Sequence, residues 1–299
     1  MGFFASVDGR IVPAQEARVS VLDNGFTFGD SVYETLRTYG GRPFELGRHF
    51  RRLRASASRI GVGIPLDDAA LTVRVDALLA RAANTESYLR FIVTRGVGDI
   101  SYHFERVSGP TIVMVAKPYE PLPERSYVEG IDVSVVSVRR NHPDALDPAI
   151  KSCNLLNNVL AMREAQAKGA TEAILLNQAG LVAEGAGSNV FAVKNGAVVT
   201  PPLRAGILAG ITREVLLELA PGAGISTREE ELPLADFLGA DEAFITSTLK
   251  EAAPIRAVDG KPIGSGRPGP ITLRLLRAFR GYAGVAASPG PSAPAASRG

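Results

Sequence analysis

The first third of the chain alternates apolar and polar positions in short runs, which is the pattern of strands with one buried face. Glycine turns at Asp8-Gly9 and Gly40-Gly41 predict two hairpins there. Two longer segments, residues 46–60 and a second beginning at Asp67, repeat apolar residues every three or four positions and predict helices. The strands are predicted at residues 2–7, 10–12, 31–39, 42–44, 88–94 and 111–116. This order predicts a first α+β domain over residues 1–117.

A proline-rich stretch at residues 118–127 is the predicted linker, and a second domain is predicted over residues 128–283. The second domain begins with a strand at 131–138, and a helix from about 152 to 168 ends at Gly169. Four short strands separated by turns predict an antiparallel meander, at residues 173–176, 180–183, 189–193 and 197–200. Further helices (212–219, 270–279) and a strand (242–246) follow. The Ala-, Ser-, Pro- and Gly-rich residues 284–299 predict a disordered tail.

Composition narrows the classes of partner. The chain has 299 residues with 33 Lys and Arg against 31 Asp and Glu, so its formal net charge of +2 gives no basic surplus for a nucleic acid or an anionic membrane. We expect small-molecule partners instead. The single cysteine, Cys153, excludes an internal disulfide, no signal peptide is recognisable, and no run approaches the ~18 apolar residues that span a bilayer. A cytoplasmic protein is expected.

Three features of the second half could carry chemistry. Lys151 precedes an apolar helix, where partial burial would lower its pKa toward that of a nucleophile. Glu184 stands at a strand end, followed by small residues that let a ligand approach the backbone. Thr212 opens a helix, whose free N–H groups suit a phosphate. Each has an ordinary alternative: a surface lysine, a tight turn with a solvated glutamate, or a plain helix cap. A dinucleotide fingerprint is excluded because a strand, not a helix, follows Glu184 and its glycines.

Together the three features supply what pyridoxal 5'-phosphate requires: an amine, a carboxylate for the ring nitrogen and phosphate donors. The stretches around them closely resemble the class IV aminotransferases, which include branched-chain and D-amino-acid aminotransferases and aminodeoxychorismate lyase. The resemblance covers nearly the whole chain, at residues 28–34, 49–53, 149–154, 172–177, 184–191, 200–202, 208–213 and 246–251. It implies a two-domain fold type IV enzyme whose larger C-terminal domain has an antiparallel, barrel-like core, no metal and a ping-pong transamination.

The resemblance also implies roles for individual residues. Lys151 would form the Schiff base and shuttle the proton, and Glu184 would pair with the pyridine nitrogen. The remaining cofactor-binding residues would be Arg52, Ser188, Asn189, Leu208, Ile211, Thr212, Ser247 and Thr248. The substrate-binding residues would be Phe28, Tyr33, Thr35, Tyr88, Arg90 and Leu249. Family members are usually homodimers with shared active sites, which makes residues 99–104 a candidate specificity loop in trans.

The sequence determines the identity of the substrate less well than that of the cofactor. Tyr88-Leu89-Arg90 resembles the Tyr-x-Arg strand of branched-chain enzymes, and Arg90 could hold the carboxylate of an acidic partner such as glutamate; a surface ion pair is its ordinary alternative. The Arg-x-His trap of D-amino-acid enzymes is absent from residues 96–103, although Arg90, Arg95 or Arg37 could replace it.

Thr35 stands where branched-chain enzymes have glycine and Leu155 where they have tyrosine, which puts a pure branched-chain preference in doubt. We therefore favour a branched-chain or other aliphatic L-amino acid with 2-oxoglutarate as acceptor. D-amino acids, (R)-amines and the lyase reaction stay open, and a scaffold protein without catalysis has no need of both Lys151 and Glu184.

Overall fold

The computed structural model describes residues 1–285, in which an antiparallel sheet of six strands forms the N-terminal half. The order across the sheet is β2-β1-β6-β5-β3-β4. Its strands are β1 (Phe4–Val7), β2 (Arg10–Pro13), β3 (Ser31–Tyr39), β4 (Arg42–Pro43), β5 (Ser87–Thr94) and β6 (Ile112–Pro118). The helices of this half are α1 (Asn24–Thr27), α2 (Leu46–Arg59) and α3 (Asp68–Ala82). The predicted tail lies, from residue 286 on, outside the described residues.

The two faces of the first sheet differ because side chains alternate along a strand. Val32 and Leu36 of β3 are fully buried and belong to one apolar core with Phe50 and Leu53 of α2. The residues that alternate with them, Tyr33, Thr35 and Arg37, point to the opposite face. That face is directed toward the second half of the chain, where it forms a wall of the candidate site.

The second half is built on a mixed sheet of ten strands with the order β12-β11-β10-β14-β15-β7-β8-β9-β13, and β16 pairs with β15. The strands are β7 (Ile131–Val135), β8 (Glu172–Leu176), β9 (Leu181–Gly185), β10 (Asn189–Lys194), β11 (Ala197–Thr200), β12 (Thr227–Glu229), β13 (Leu232–Pro233), β14 (Glu242–Ser247), β15 (Glu251–Val258) and β16 (Lys261–Pro262). The helices are α4 (Arg125–Val128), α5 (Pro143–Leu146), α6 (Leu156–Ala167), α7 (Ile211–Leu219), α8 (Leu234–Leu238) and α9 (Pro270–Tyr282). The predicted α+β class is confirmed.

Two local predictions are wrong. The predicted four-strand meander is broken because β8 pairs with β9 and β10 with β11, but β9 and β10 lie in different parts of the sheet. The predicted helix at 152–168 begins only at Leu156. The segment before it is not helical because its backbone hydrogen-bonds to β3, where Tyr33 N donates to Lys151 O (2.8 Å) and Cys153 N donates to Ser31 O (3.0 Å).

The division into two domains stays a prediction. Helix α4 falls partly within the predicted linker, and Tyr127 of α4 is buried in the core of the second half. No helix among residues 1–285 is long and apolar enough to cross a bilayer. The expected cytoplasmic location stays a prediction.

Candidate active site

A cavity of about 270 Å³ that opens to solvent lies between the two halves. Both halves contribute to its lining: β3 and β5 from the first, and the ends of β9, β14 and α7 from the second. Every predicted site residue lines this cavity except Phe28. The ring of Phe28 lies instead 5.1 Å from that of Tyr102, centroid to centroid, so its assignment to a substrate pocket stays a prediction.

Lys151 lies in a non-helical segment that is hydrogen-bonded to the first half. Its backbone N–H donates to Ser56 Oγ (3.2 Å), and its carbonyl accepts from Tyr33. The side chain extends into the cavity, with Nζ 4.4 Å from the centroid of the Tyr33 ring. Burial, together with the positive charge of Arg52, lowers the pKa of the Lys151 amine to about 8. Near neutral pH a useful fraction of this amine is therefore unprotonated and nucleophilic.

Glu184 occupies the end of β9 and is almost fully buried. Its Oε1 accepts from Arg140 Nε (2.8 Å), and its Oε2 accepts from the backbone N–H of Leu208 (3.0 Å) and from Asn189 Nδ2 (3.4 Å). Burial raises the pKa of this carboxyl, and the Arg140 guanidinium opposes that rise. A carboxylate has about four acceptor positions, so these three donors leave room for one more.

Arg140 is a functional candidate that the sequence analysis missed. It is buried, and besides Glu184 it contacts the side-chain oxygen of Asn157 at 3.2 Å. In the sequence it belongs to a polar loop that showed no sign of burial. The only available signal was the pair Arg139-Arg140 directly after an apolar strand.

The start of α7 is a candidate anion site. Its N-cap residue, Gly210, provides no side-chain cap, so the first N–H groups of the helix stay available. A side chain at Gly210 would collide with Asn189, because an added Cβ would lie 1.9 Å from Oδ1. The Oγ1 atoms of Thr212 and Thr246 are buried without a hydrogen-bond partner in the described part of the chain. Two unsatisfied hydroxyls beside a helix start are what a bound phosphate would satisfy.

Arg52 closes this anion site from the first half. Its Nε and Nη2 donate to the two oxygens of Glu34 (2.7 and 2.8 Å), and its Nη1 donates to Ala209 O (2.6 Å), next to the start of α7. Burial alone would raise the pKa of the Glu34 carboxyl, but Arg52 and His49 hold it well below its usual range. Glu34 is therefore an anion that fixes Arg52, a role that the sequence analysis did not assign. The Arg52 guanidinium has five N–H groups, so two remain for a ligand.

The face of β3 and β5 that borders the cavity carries the predicted substrate residues. Thr35 lies directly opposite Arg90 in the register of the two strands. The Arg90 guanidinium lies 4.2 Å from the centroid of the Tyr33 ring, and no carboxylate among residues 1–285 forms a salt bridge with it. The other two arginines considered for a carboxylate trap have anionic partners: Arg37 pairs with Glu251 and Arg95 with Asp30. Arg90 is the one of these three that lines the cavity.

Comparison with known proteins gives concordant matches. The model of a family described as Amino-transferase class IV matches residues 31–258. Over 280 residues, covering 92% of this chain and 94% of the relative, the chain is 42% identical to a Methanocaldococcus jannaschii protein provisionally named branched-chain-amino-acid aminotransferase. It is 36% identical to the D-alanine aminotransferase of Bacillus licheniformis over 273 residues (91% of this chain, 94% of that one). Among solved structures, the branched-chain amino acid aminotransferase of Thermobaculum terrenum in its PLP-form has a TM-score of 0.82 at 28% identity, over 95% of this chain and 94% of that one.

Proposed function

This chain belongs to the class IV aminotransferases, and from that premise we propose that it binds pyridoxal 5'-phosphate and transfers an amino group between an amino acid and a 2-oxo acid. The earlier resemblance to the family is thereby confirmed. One observation carries the proposal for the cofactor. A single cavity contains an amine of lowered pKa, a buried carboxylate with one acceptor position left, and unsatisfied hydroxyls beside a helix start. These groups fit the carbonyl, the ring nitrogen and the phosphate of the cofactor.

The chain's own residues would divide the work. When bound, the cofactor supplies an electron sink that stabilises negative charge on the substrate carbon. The Lys151 amine would hold the cofactor and, once displaced by the substrate amine, would accept the proton from that carbon and deliver it to the carbonyl-derived carbon of the cofactor. Glu184, fixed by Arg140, would hold the ring nitrogen in its protonated form. Arg52 and Thr212 would bind the phosphate. Release of the first product before the second substrate binds gives a ping-pong pattern.

Turnover with defined substrate pairs tests this proposal. We expect amino transfer from an aliphatic L-amino acid to 2-oxoglutarate. When both substrate concentrations are varied, double-reciprocal plots of the initial rate should give parallel lines. A higher rate with D-alanine would favour the D-amino-acid alternative, which the similarity to D-alanine aminotransferases supports. Release of pyruvate from aminodeoxychorismate, without any acceptor, would contradict the transaminase proposal.

We propose 2-oxoglutarate as acceptor because of Arg90. A guanidinium with no anionic partner at the cavity wall is a binding position for the second carboxylate of a dicarboxylic acid. The opposite residue, Thr35, keeps this part of the wall polar, while Leu249 on the other side provides apolar surface for an aliphatic side chain.

Replacing Arg90 with leucine should raise the KM for 2-oxoglutarate about tenfold to a hundredfold, since a charge-assisted hydrogen bond contributes roughly 1.5–3 kcal/mol. The KM for a monocarboxylic acceptor such as 2-oxoisocaproate should change by less than about threefold, because it lacks the second carboxylate. Steady-state kinetics with both acceptors measure the difference. Arg51→Leu, at an exposed arginine of α2 outside the cavity lining, is the matched control. An equal rise for both acceptors would refute the assignment.

We also propose a homodimer. Several large apolar side chains are strongly exposed: Phe26, Ile100, Tyr102, Leu156 and Val159. Their segments adjoin each other, because Asn154 Nδ2 donates to Gly29 O (2.9 Å) and Asp23 bridges to Val97. A contiguous apolar surface of this kind is typical of a protein interface. A second copy covering it would bring residues 99–104 to the partner's cavity.

Val159→Glu should convert the dimer to monomers, because an unpaired carboxylate at the centre of an apolar interface is costly to bury. Analytical ultracentrifugation measures the mass, and we expect turnover to fall at least about tenfold with it. Val73→Glu is the matched control, because Val73 is also strongly exposed but lies on α3, away from this surface. A wild-type protein that sediments as a monomer at full activity would exclude the shared site.

A further inference from the structure

The turn between β14 and β15 borders the cavity, and tyrosine side chains outside the cavity lining hydrogen-bond to its backbone carbonyls. Thr248 and Leu249 of this turn line the cavity. Leu249 O accepts from Tyr119 Oη (2.8 Å), and the next carbonyl, Lys250 O, accepts from Tyr127 Oη (3.2 Å). Burial raises the pKa of both phenols, so both stay protonated and able to donate. Two successive carbonyls are thus fixed by two tyrosines that do not line the cavity.

The residue that ends the turn is anchored as well. Glu251 has a left-handed backbone (φ +52°), which is unusual for a residue other than glycine. Its carboxylate is nearly fully buried and accepts from Arg280 Nε of α9 (2.7 Å), from Tyr39 Oη (3.2 Å) and from Arg37 Nη1 of β3 (3.4 Å). These bonds hold the strained residue in place from two elements, α9 and β3.

Arg37 connects the two sets of contacts. Its guanidinium lies between two aromatic rings, 3.9 Å from the centroid of Tyr39 and 3.7 Å from that of Tyr119. The Tyr119 ring therefore stacks on Arg37 while its hydroxyl holds Leu249. Arg37 lies two residues after Thr35 on β3, so the cluster connects the substrate wall of the first half to the turn of the second.

We propose that Tyr119, Arg37 and Glu251 are positioning residues for substrate binding, which act through the backbone of the turn at Leu249. The inference rests on the proposed function. None of the three lines the cavity, and the cluster makes no contact with Lys151 or Glu184 in the described residues. Loosening the turn should therefore weaken substrate binding while leaving proton transfer at Lys151 intact.

Tyr119→Phe tests this inference because it removes one hydroxyl and keeps the ring that stacks on Arg37. We expect the KM for the 2-oxo acid to rise about threefold to tenfold, as loss of one hydrogen bond allows, with kcat within about twofold of wild type. Hydrogen–deuterium exchange of peptides covering residues 247–251 should accelerate by about the same factor. Tyr282→Phe is the matched control, since that phenol donates to Glu45 on the exposed surface. The Tyr282→Phe variant should change neither the KM for the 2-oxo acid nor the exchange rate of residues 247–251.

Three outcomes overturn the inference. Unchanged exchange at residues 247–251 shows that Tyr119 does not hold the turn, whatever the activity. Faster exchange with an unchanged KM shows that the turn does not control binding. A fall in kcat larger than the rise in KM places Tyr119 in the chemistry itself. Failure of the proposed function looks different, because the wild-type protein would then lack amino transfer with every donor and acceptor pair.

Discussion

Lys151→Ala should lower kcat for amino transfer by about 10³-fold or more, since positioned proton transfer alone contributes about 10²–10⁴-fold. The variant loses the amine that would hold the cofactor and move the proton, and no other lysine among residues 1–285 lines the cavity. The loss should appear in single-turnover experiments with the donor alone, because the first half-reaction already needs the proton shuttle. Stopped-flow absorbance of the cofactor measures it directly.

Lys168→Ala is the control for this experiment. Lys168 is an exposed lysine at the end of α6 that contacts Glu164 and Asp259, far from the cavity lining. Its replacement should leave kcat unchanged. Full turnover in Lys151→Ala would eliminate Lys151 as the catalytic residue and, with it, the proposed mechanism.

Glu184→Gln should lower kcat about 10²- to 10³-fold, the range typical of removing one preorganised electrostatic partner. Glutamine keeps the shape and can still accept from Arg140, but its neutral amide cannot hold a proton on the ring nitrogen. The variant should still fold, although at a cost of roughly 1–3 kcal/mol. The single oxygen of glutamine can keep the bond from Arg140 Nε, but the Leu208 N–H, which donates to the other carboxylate oxygen, then loses its acceptor. Steady-state kinetics and the absorption spectrum of the bound cofactor are the measurements.

Glu218→Gln provides the matched comparison, because Glu218 pairs with Arg48 on the exposed side of α7. It should have full activity. If kcat of Glu184→Gln falls by less than about threefold while Glu218→Gln has the wild-type kcat, then Glu184 does not control the protonation of the ring nitrogen.

The residues that the sequence located best are those set by local signals. Glu184 and Thr212 lie at the ends of β9 and α7, Lys151 lies in the short segment between α5 and α6, and all three line the cavity. Arg140 and Glu34 were not recognised because their roles depend on pairings across the fold. Arg140 meets Glu184, which is 44 residues away, and Glu34 meets Arg52 on a different element. No local pattern distinguishes such a buried pair from two surface charges.

The same distinction explains the errors in the fold. The hydrophobic pattern located most strands, but which strands pair is decided by contacts distant in sequence. The short connection from β9 to β10 was therefore mistaken for a hairpin, although β10 pairs with β14. The late start of α6 has the same origin, because Lys151 and Cys153 bond to β3 of the other half.

Borohydride reduction of the purified protein with pyridoxal 5'-phosphate, followed by peptide mass spectrometry, tests the central claim most directly. The proposal predicts that the reduced cofactor is fixed covalently to the peptide that contains Lys151, in about one copy per chain. Labelling should be lost in Lys151→Ala and retained in Lys168→Ala. Stable labelling of a different lysine, or no labelling of the wild-type protein, would contradict it.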